Sequence, residues 1–90
     1  MSSQPHAPQV RADVLFRRVG DEWILFDPVR DQLHSINLVA ALVWRMLADG
    51  DSLSEIEAEV AQAFADKVQG DPSGEAIAQF RTAGLLEPGT

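Results

Sequence analysis

The sequence predicts an α+β fold in which three short antiparallel strands precede three α-helices. Three observations lead to this prediction. Between residues 22 and 47 the spacing of apolar residues changes from that of a strand to that of a helix. Turn sequences separate three short apolar runs before residue 37, and a helix-start signal precedes each of three longer segments after it. A chain of 90 residues has room for one such domain.

The three predicted strands form a meander. The first covers residues 14–19 and is joined to the second, residues 22–26, by a Gly-Asp pair, since glycine adopts the positive φ that two-residue hairpins need. In the next turn Pro28 has a suitable fixed φ, and the Asp27 carboxylate can accept hydrogen bonds from nearby backbone. The third strand covers residues 32–36. No later strand covers its outer edge, so we expect that edge to be open for pairing.

The first predicted helix, residues 38–48, starts after Asn37 as N-cap and is apolar on nearly every face, so we expect it to be central. The second runs to about residue 65. It begins with a Ser-x-x-Glu capping box at Ser52 and has an acidic outer face. The third covers residues 72–83, with Asp71 as N-cap before a proline. Together the six elements predict a winged-helix-like layout.

The ends of the chain lie outside this fold. Residues 1–10 are polar and lack apolar periodicity, so we expect a disordered N-terminal tail, followed by one domain over residues 11–87 and a short tail at 88–90. The start resembles no secretory signal, and no apolar stretch is long enough to span a membrane. The chain has no cysteine, which fits a reducing compartment. We therefore expect a cytoplasmic protein.

The charge of the chain disfavours some partners. A formal net charge of −7 repels nucleic acids and anionic membranes, and it attracts peptides that carry Lys or Arg. In a winged-helix domain the third helix would enter DNA, yet here it offers Gln79 and Arg81 without a basic cluster. We expect no nucleic-acid partner. An acidic winged-helix regulatory or interaction module stays open as an alternative function.

Residues for catalysis or metal binding are scarce. His34 is the one histidine within the predicted elements, and no spaced partners complete a metal site around it. Glu55 and Glu59 share a helix face, but paired carboxylates catalyse only in a cleft that shifts their pKa values. Glycine-rich phosphate loops are absent from the sequence. We therefore predict neither an enzyme nor a bound cofactor or metal.

One run of residues resembles a known family. From Asp27 to Trp44 the sequence reads D-P-x4-L-H-x-I-N-x2-A-A-L-x-W, and Gly-Leu-Leu follows at residues 84–86. This resembles the PqqD-like family of peptide chaperones, over residues 11–87. The sequence between the second and third strands is more similar to the broader PqqD-like group than to the founding members, which serve pyrroloquinoline quinone assembly. The broader group includes members associated with lasso peptides.

The resemblance implies a function in peptide modification. Such domains, called RiPP recognition elements, are not catalysts. They bind the leader segment of a ribosomally made precursor peptide and present it to modifying enzymes such as a radical enzyme, a cyclase or a leader protease. In the family, the leader adds as a strand to the third strand and lies in the groove between that strand and the third helix.

Carried onto this sequence, the resemblance predicts a binding site along residues 32–36 and 72–83. We expect backbone groups of the third strand to bind the peptide and side chains of both elements to line or border the groove; these residues are Leu33, His34, Ser35, Ile36, Ile77, Phe80 and Arg81. For Ile77 and Phe80, ordinary core packing stays open as the alternative. The oligomeric state, monomer or homodimer, is also open, because an exposed strand edge supports dimerisation.

Overall fold

The computed structural model describes residues 7–64 and 70–88. It has three strands and then three helices, in the order β1 (Leu15–Val19), β2 (Glu22–Asp27), β3 (Gln32–Ile36), α1 (Leu38–Asp49), α2 (Leu53–Ala63) and α3 (Pro72–Thr82). The predicted α+β class and the order of elements are confirmed. The ends of α1 and α3 differ from the prediction by one residue, and the predicted end of α2, at residue 65, lies outside the described residues.

The strands form one antiparallel sheet in the order β1-β2-β3. Leu25, at its centre, is opposite Phe16 in β1 and His34 in β3. Because directly opposed residues share a face, these three side chains lie on the inner face of the sheet. Leu25 is fully buried there and joins the core cluster formed by the helices. Gly20 has φ 62°, as the predicted hairpin turn requires.

The helices begin where their caps predict. The Asn37 side chain accepts a hydrogen bond from the Ala40 amide at 2.8 Å. Both bonds of the capping box at Ser52 are present, and Asp71 accepts from the amide three residues later. α1 contributes much of the core, and its Trp44 ring meets Phe80 of α3 edge-on, with 5.1 Å between centroids. Each predicted start signal therefore acts through a hydrogen bond within one helical turn.

α1 is not buried on every side. Leu38, its first residue, is 55% exposed, and Ala48 near its end is exposed as well. Both ends of the helix reach past the core, whereas its middle packs against α2 and α3. The apolar composition therefore predicted the central position of α1 but overstated how much of it is covered.

Within the described residues, no helix combines the length and the apolarity needed to cross a bilayer.

The predicted boundary of the N-terminal tail needs correction. Pro8 is buried, and Val10 forms an antiparallel bridge with Leu86. The amide of Glu87 donates to the carbonyl of Gln9 at 2.8 Å. Residues 7–10 are therefore part of the folded domain, because residues 9 and 10 pair with the C-terminal segment, while residue 7 packs against the core and residue 8 is buried. Residues 1–6 and 89–90, also assigned to tails, lie outside the described residues.

Asp27 is a buried carboxylate at the end of β2. It is 0% exposed and accepts hydrogen bonds from both terminal nitrogens of Arg11, each at 3.0 Å. It also accepts from the backbone amides of Val29 and Arg30, at 3.0 and 3.3 Å, as the turn sequence predicts. The hydrogen bonds from Arg11 are the main cause that lowers the pKa of Asp27 below its ordinary value of 3.8. The carboxylate therefore stays charged in the fold.

Two arginines join this turn to the end of α3. Arg11 donates to the carbonyl oxygen of Gly84 at 2.9 Å, and Arg30 donates to that of Ala83 at 2.9 Å. Gly84 has φ 75°, and a Cβ atom there would lie 2.8 Å from Cζ of Arg30. The positive φ favours glycine at this position, whereas the guanidinium is the end of a flexible, exposed side chain that can move away from a Cβ atom. The hydrogen bonds of the two arginines fix the turn before β3 to the C-terminal end of α3.

We expect Asp27→Asn to destabilise the domain strongly at pH 7. The substitution leaves the Arg11 guanidinium without its buried counter-charge, and loss of one partner of a buried pair is costly. Thermal unfolding followed by circular dichroism should show a fall in Tm of about 5 °C or more. Asp13→Asn is the matched control, because Asp13 also pairs with Arg11 but is 43% exposed. An equal loss of Tm in both variants would contradict this account.

The same pair predicts acid sensitivity. The pKa of Asp27 is lower in the folded chain than in the unfolded chain, so its contribution to stability is present above about pH 4 and is lost as pH falls further. The free energy of unfolding of the native chain should therefore fall more steeply below pH 4 than that of Asp27→Asn. Urea unfolding between pH 2.5 and 7 measures both slopes, and parallel curves would refute the prediction.

Candidate functional site

The outer edge of β3 is open among the described strands, because β2 is its one neighbour in the sheet. The register decides which backbone groups point outward. Val19 and Glu22 flank a two-residue loop, and such closing residues form a hydrogen-bonded pair. Hydrogen-bonded and non-bonded pairs then alternate along an antiparallel ladder. Trp23, Leu25 and Asp27 of β2 must consequently direct their N–H and C=O groups toward β3.

This alternation divides β3 into two sets of residues. His34, opposite Leu25, directs its backbone groups to β2, as does Ile36 opposite Trp23. Leu33 and Ser35 direct theirs away from the sheet. From the sequence we expected the backbone groups of residues 33, 34 and 35 to bind the peptide. The register leaves free outward donors and acceptors at residues 33 and 35 but not at residue 34. Their role in peptide binding stays a prediction.

A groove runs between β3 and α3, beside this edge. It has a volume of about 520 Å³ and is lined by His34, Glu75, Ala78, Gln79, Thr82 and Ala83. A second cavity of about 320 Å³ shares Glu75 and Gln79 with it and reaches the start of α1 at Asn37 and Val39. The two cavities therefore adjoin along α3, and both are lined by alanines together with polar side chains.

The other predicted site residues lie away from this groove. Phe80 is fully buried, and Ile36 and Ile77 are 6% and 8% exposed within the core. Arg81 lines a different cavity, which also contacts α2 and the N-terminal segment. The apolar stripe of α3 marks its core face, so the open alternative of core packing describes Ile77 and Phe80 here. Their role as peptide contacts, and that of Arg81, stays a prediction that this placement does not favour.

Sequence reasoning missed the residues that α3 turns toward β3. Residues 75, 78, 79 and 82 follow the three- and four-residue steps of one helix face. A face of small and polar residues is typical of any solvent-exposed helix face, so the sequence shows that this face is exposed but not that β3 lies beside it. The predicted apolar contacts, Ile77 and Phe80, lie instead on the core side of the helix.

Among the described residues that line the groove, His34 has a buried polar atom without a hydrogen-bond partner. Its Nε2 atom is buried and has no hydrogen-bond partner among the described residues. The side chain faces the groove from the inner side of the sheet, opposite Leu25. A buried nitrogen without a partner costs free energy, and a bound molecule could offset that cost.

In the described ranges, no three His, Asp or Glu side chains are grouped to hold a metal ion.

Comparison with known proteins assigns the chain to a family. The sequence model described as coenzyme PQQ synthesis protein D (PqqD) matches residues 22–86, which is more than half of the chain. The chain belongs to the PqqD family. The resemblance stated from the sequence is thus confirmed at the level of the family, and the assignment to its broader group stays a prediction. No curated protein sequence matches the chain significantly.

A solved structure has the same fold as this PqqD-family chain. It is described as TbiB1 in complex with the TbiA(beta) leader peptide. The match covers 91% of this chain and 98% of that one, with a TM-score of 0.62 and 16% sequence identity. At that identity the similarity shows a shared fold. It covers the sheet and the helices together, so the α+β arrangement of this PqqD-family chain is that of a whole solved domain.

We expect His34→Leu to leave the fold intact and to raise the free energy of unfolding by about 1 kcal/mol, because it removes a buried polar atom that has no partner. Chemical denaturation in the absence of any peptide measures this change. Gln32→Leu, on the same face of β3 but exposed, is the control and should change stability by less than about 0.5 kcal/mol. A marked loss of stability in His34→Leu would contradict this prediction.

Proposed function

We propose that this PqqD-family chain is a non-catalytic adaptor that binds the leader segment of a ribosomally made precursor peptide. The leader adds as a strand to the outer edge of β3, and the adaptor presents the precursor to a modifying enzyme in a lasso-peptide or other RiPP pathway. The observation that carries this proposal is the pair of outward-facing backbone positions, Leu33 and Ser35, directly beside the β3–α3 groove.

The edge and the groove have complementary roles in this proposal. Strand addition gives affinity through backbone hydrogen bonds, which are independent of peptide sequence. Pockets beside the edge give specificity, since alternate side chains of the added strand enter them. His34 lines this groove, and its buried Nε2 atom lacks a hydrogen-bond partner among the described residues, which supports a role in binding a peptide group there. A peptide would therefore satisfy polar groups that the free domain leaves unpaired.

The similar proteins support the proposed peptide-binding function, and their own partners are not assigned to this chain. The solved structure of similar fold contains a leader peptide bound to that protein. The family description of the matching sequence model refers to coenzyme PQQ synthesis. A precursor peptide as partner is thus a reasonable proposal for a chain of this fold and family. We assign the chemistry to a separate radical enzyme, cyclase or leader protease, and we place the complex in the cytoplasm.

The proposed mechanism is an increase in local concentration. An adaptor that holds the leader and contacts an enzyme converts a bimolecular encounter into an intramolecular one, with an effective concentration in the millimolar range for short flexible links. The core of the precursor, beyond the leader, stays free to enter the enzyme. The net charge of −7 on the adaptor favours approach of leaders that carry Lys or Arg.

An amide-resolved NMR titration tests the proposal directly. The probe is a synthetic peptide with the sequence of a candidate leader segment, added to the full chain. We expect shifts concentrated at residues 33–36 and on the 75-78-79-82 face of α3. Shifts confined to α2, or none at high micromolar peptide, would overturn the proposal.

Binding of duplex DNA with a steep dependence on salt would instead favour the acidic winged-helix alternative.

A proline at the edge separates strand addition from other binding modes. Ser35→Pro removes an N–H that points away from the sheet, so the ladder to β2 should survive, as it does for proline on natural edge strands. We expect a loss of peptide affinity of about ten-fold or more, measured by calorimetry. Ser35→Ala keeps the N–H and is the control, with near-native affinity. Unchanged affinity in Ser35→Pro would exclude backbone pairing at this position.

A further inference from the structure

The outer face of the sheet carries an apolar row that ends at the open edge. The two registers place Phe26 directly opposite Leu15 on one side and Leu33 on the other. These three side chains share the face turned away from Leu25 and the core. Leu15 is 43% exposed and Leu33 is 70% exposed, while Phe26 between them is partly buried. Leu33 is the more exposed end of this row.

A strand added to β3 would continue this row. Side chains along a strand alternate between the two faces, and residues side by side on neighbouring strands share a face. The peptide residue beside His34 therefore points to the groove, whereas the residue beside Leu33 points to the outer face. This holds for parallel and antiparallel addition alike. A bound peptide thus places every second side chain outside the groove, against the row that Leu33 ends.

We infer that Leu33, at the exposed end of the outer row and supported by Phe26, is a second specificity surface, which selects an apolar side chain at the peptide position beside it. This inference rests on the proposed function and concerns the same edge. The occupant is the docked peptide itself, because the row is continuous with the edge to which the peptide adds. A Leu, Ile, Val or Phe there covers Leu33, while a charged residue loses its water beside an apolar surface.

The size of the effect follows from cross-strand pairs. An apolar pair on one face of a sheet contributes enough to change an equilibrium constant by about two- to five-fold relative to an alanine pair. Phe26 and Leu33 form a non-hydrogen-bonded pair of the β2–β3 ladder, in which side chains come closest. The peptide residue beside Leu33 would then face a Leu33 side chain that is already held by Phe26.

The test uses a displayed library of random peptides, each long enough to form a strand, selected against the full native chain. Amide-to-amide NOEs between a selected peptide and residues 33 and 35 assign its register. We expect the position beside Leu33 to be enriched in Leu, Ile, Val and Phe. Replacing that residue by Lys should weaken binding about five-fold or more, whereas replacing the residue beside Ser35 by Lys should have a smaller effect.

A switch variant makes the assignment specific. Selection against Leu33→Glu should change the preference at that position from apolar residues to Lys and Arg, because opposite charges pair across strands. Val29→Glu is the matched control, since Val29 is 75% exposed in the turn and lies outside the row. It makes the same chemical change on the surface, and the apolar preference should persist. Thermal unfolding of both variants checks that the fold is retained.

The outcomes separate this inference from the proposed function. If peptides bind with NOEs to β3 but accept Lys, Glu and Leu equally beside Leu33, the inference is overturned and the adaptor function stands. If selected peptides give no NOEs to β3, the proposed function fails and this inference fails with it. If the row is covered by a second copy, sedimentation should show a dimer that Leu33→Glu dissociates, and the inference would also be overturned.

Discussion

Asp27 needs a counter-charge because it is buried, and three separate parts of the chain meet where that need is satisfied. Arg11 comes from the N-terminal segment and reaches the carboxylate at the end of β2. The same guanidinium bonds the carbonyl of Gly84 after α3. An unpaired buried carboxylate is far costlier than a paired one, so each of these parts has a defined position as long as the charge pair is intact.

This arrangement also sets the geometry of the groove. Asp27 holds the amides of the turn that leads into β3, and Arg30 from that turn bonds the carbonyl of Ala83. Ala83 lines the groove together with His34. The start of the edge strand and the end of the facing helix are therefore tied to one another through the turn. A binding site made of two elements requires such a tie, because its width depends on both.

The proposed function follows from the period of two in β3. One set of residues faces β2 and the core, and Leu25 and Asp27 fix that set by pairing with His34 and Gln32. The other set, Leu33 and Ser35, has outward backbone groups. If a peptide strand bonds these groups, the register determines which of its side chains lie on each face of the sheet. Alternate side chains enter the groove, and the others cover the outer row. Backbone pairing and side-chain selection are thus consequences of the same register.

Local signals in the sequence predicted most of the fold. The caps at Asn37, Ser52 and Asp71 and the hairpin glycine at Gly20 act within about four residues, so reading them requires no knowledge of the rest of the chain. The edge position of β3 followed from the same reading, because the three strands come in series. The resemblance from Asp27 to Trp44 added the family, which the match to residues 22–86 bears out.

Tertiary structure alone decided the contacts between distant residues. Arg11 and Asp27 are sixteen positions apart, and Val10 and Leu86 lie at opposite ends of the domain. Each of these residues has several partners of suitable chemistry in the sequence, and packing chooses among them. Packing also decided the surroundings of α3. Its apolar stripe indicated which face is buried, but not which element lies beside its polar face. Sequence by itself determined the elements and their order, because these depend on neighbours along the chain. Only the folded chain decided which side chains line the groove, because that depends on how whole elements pack.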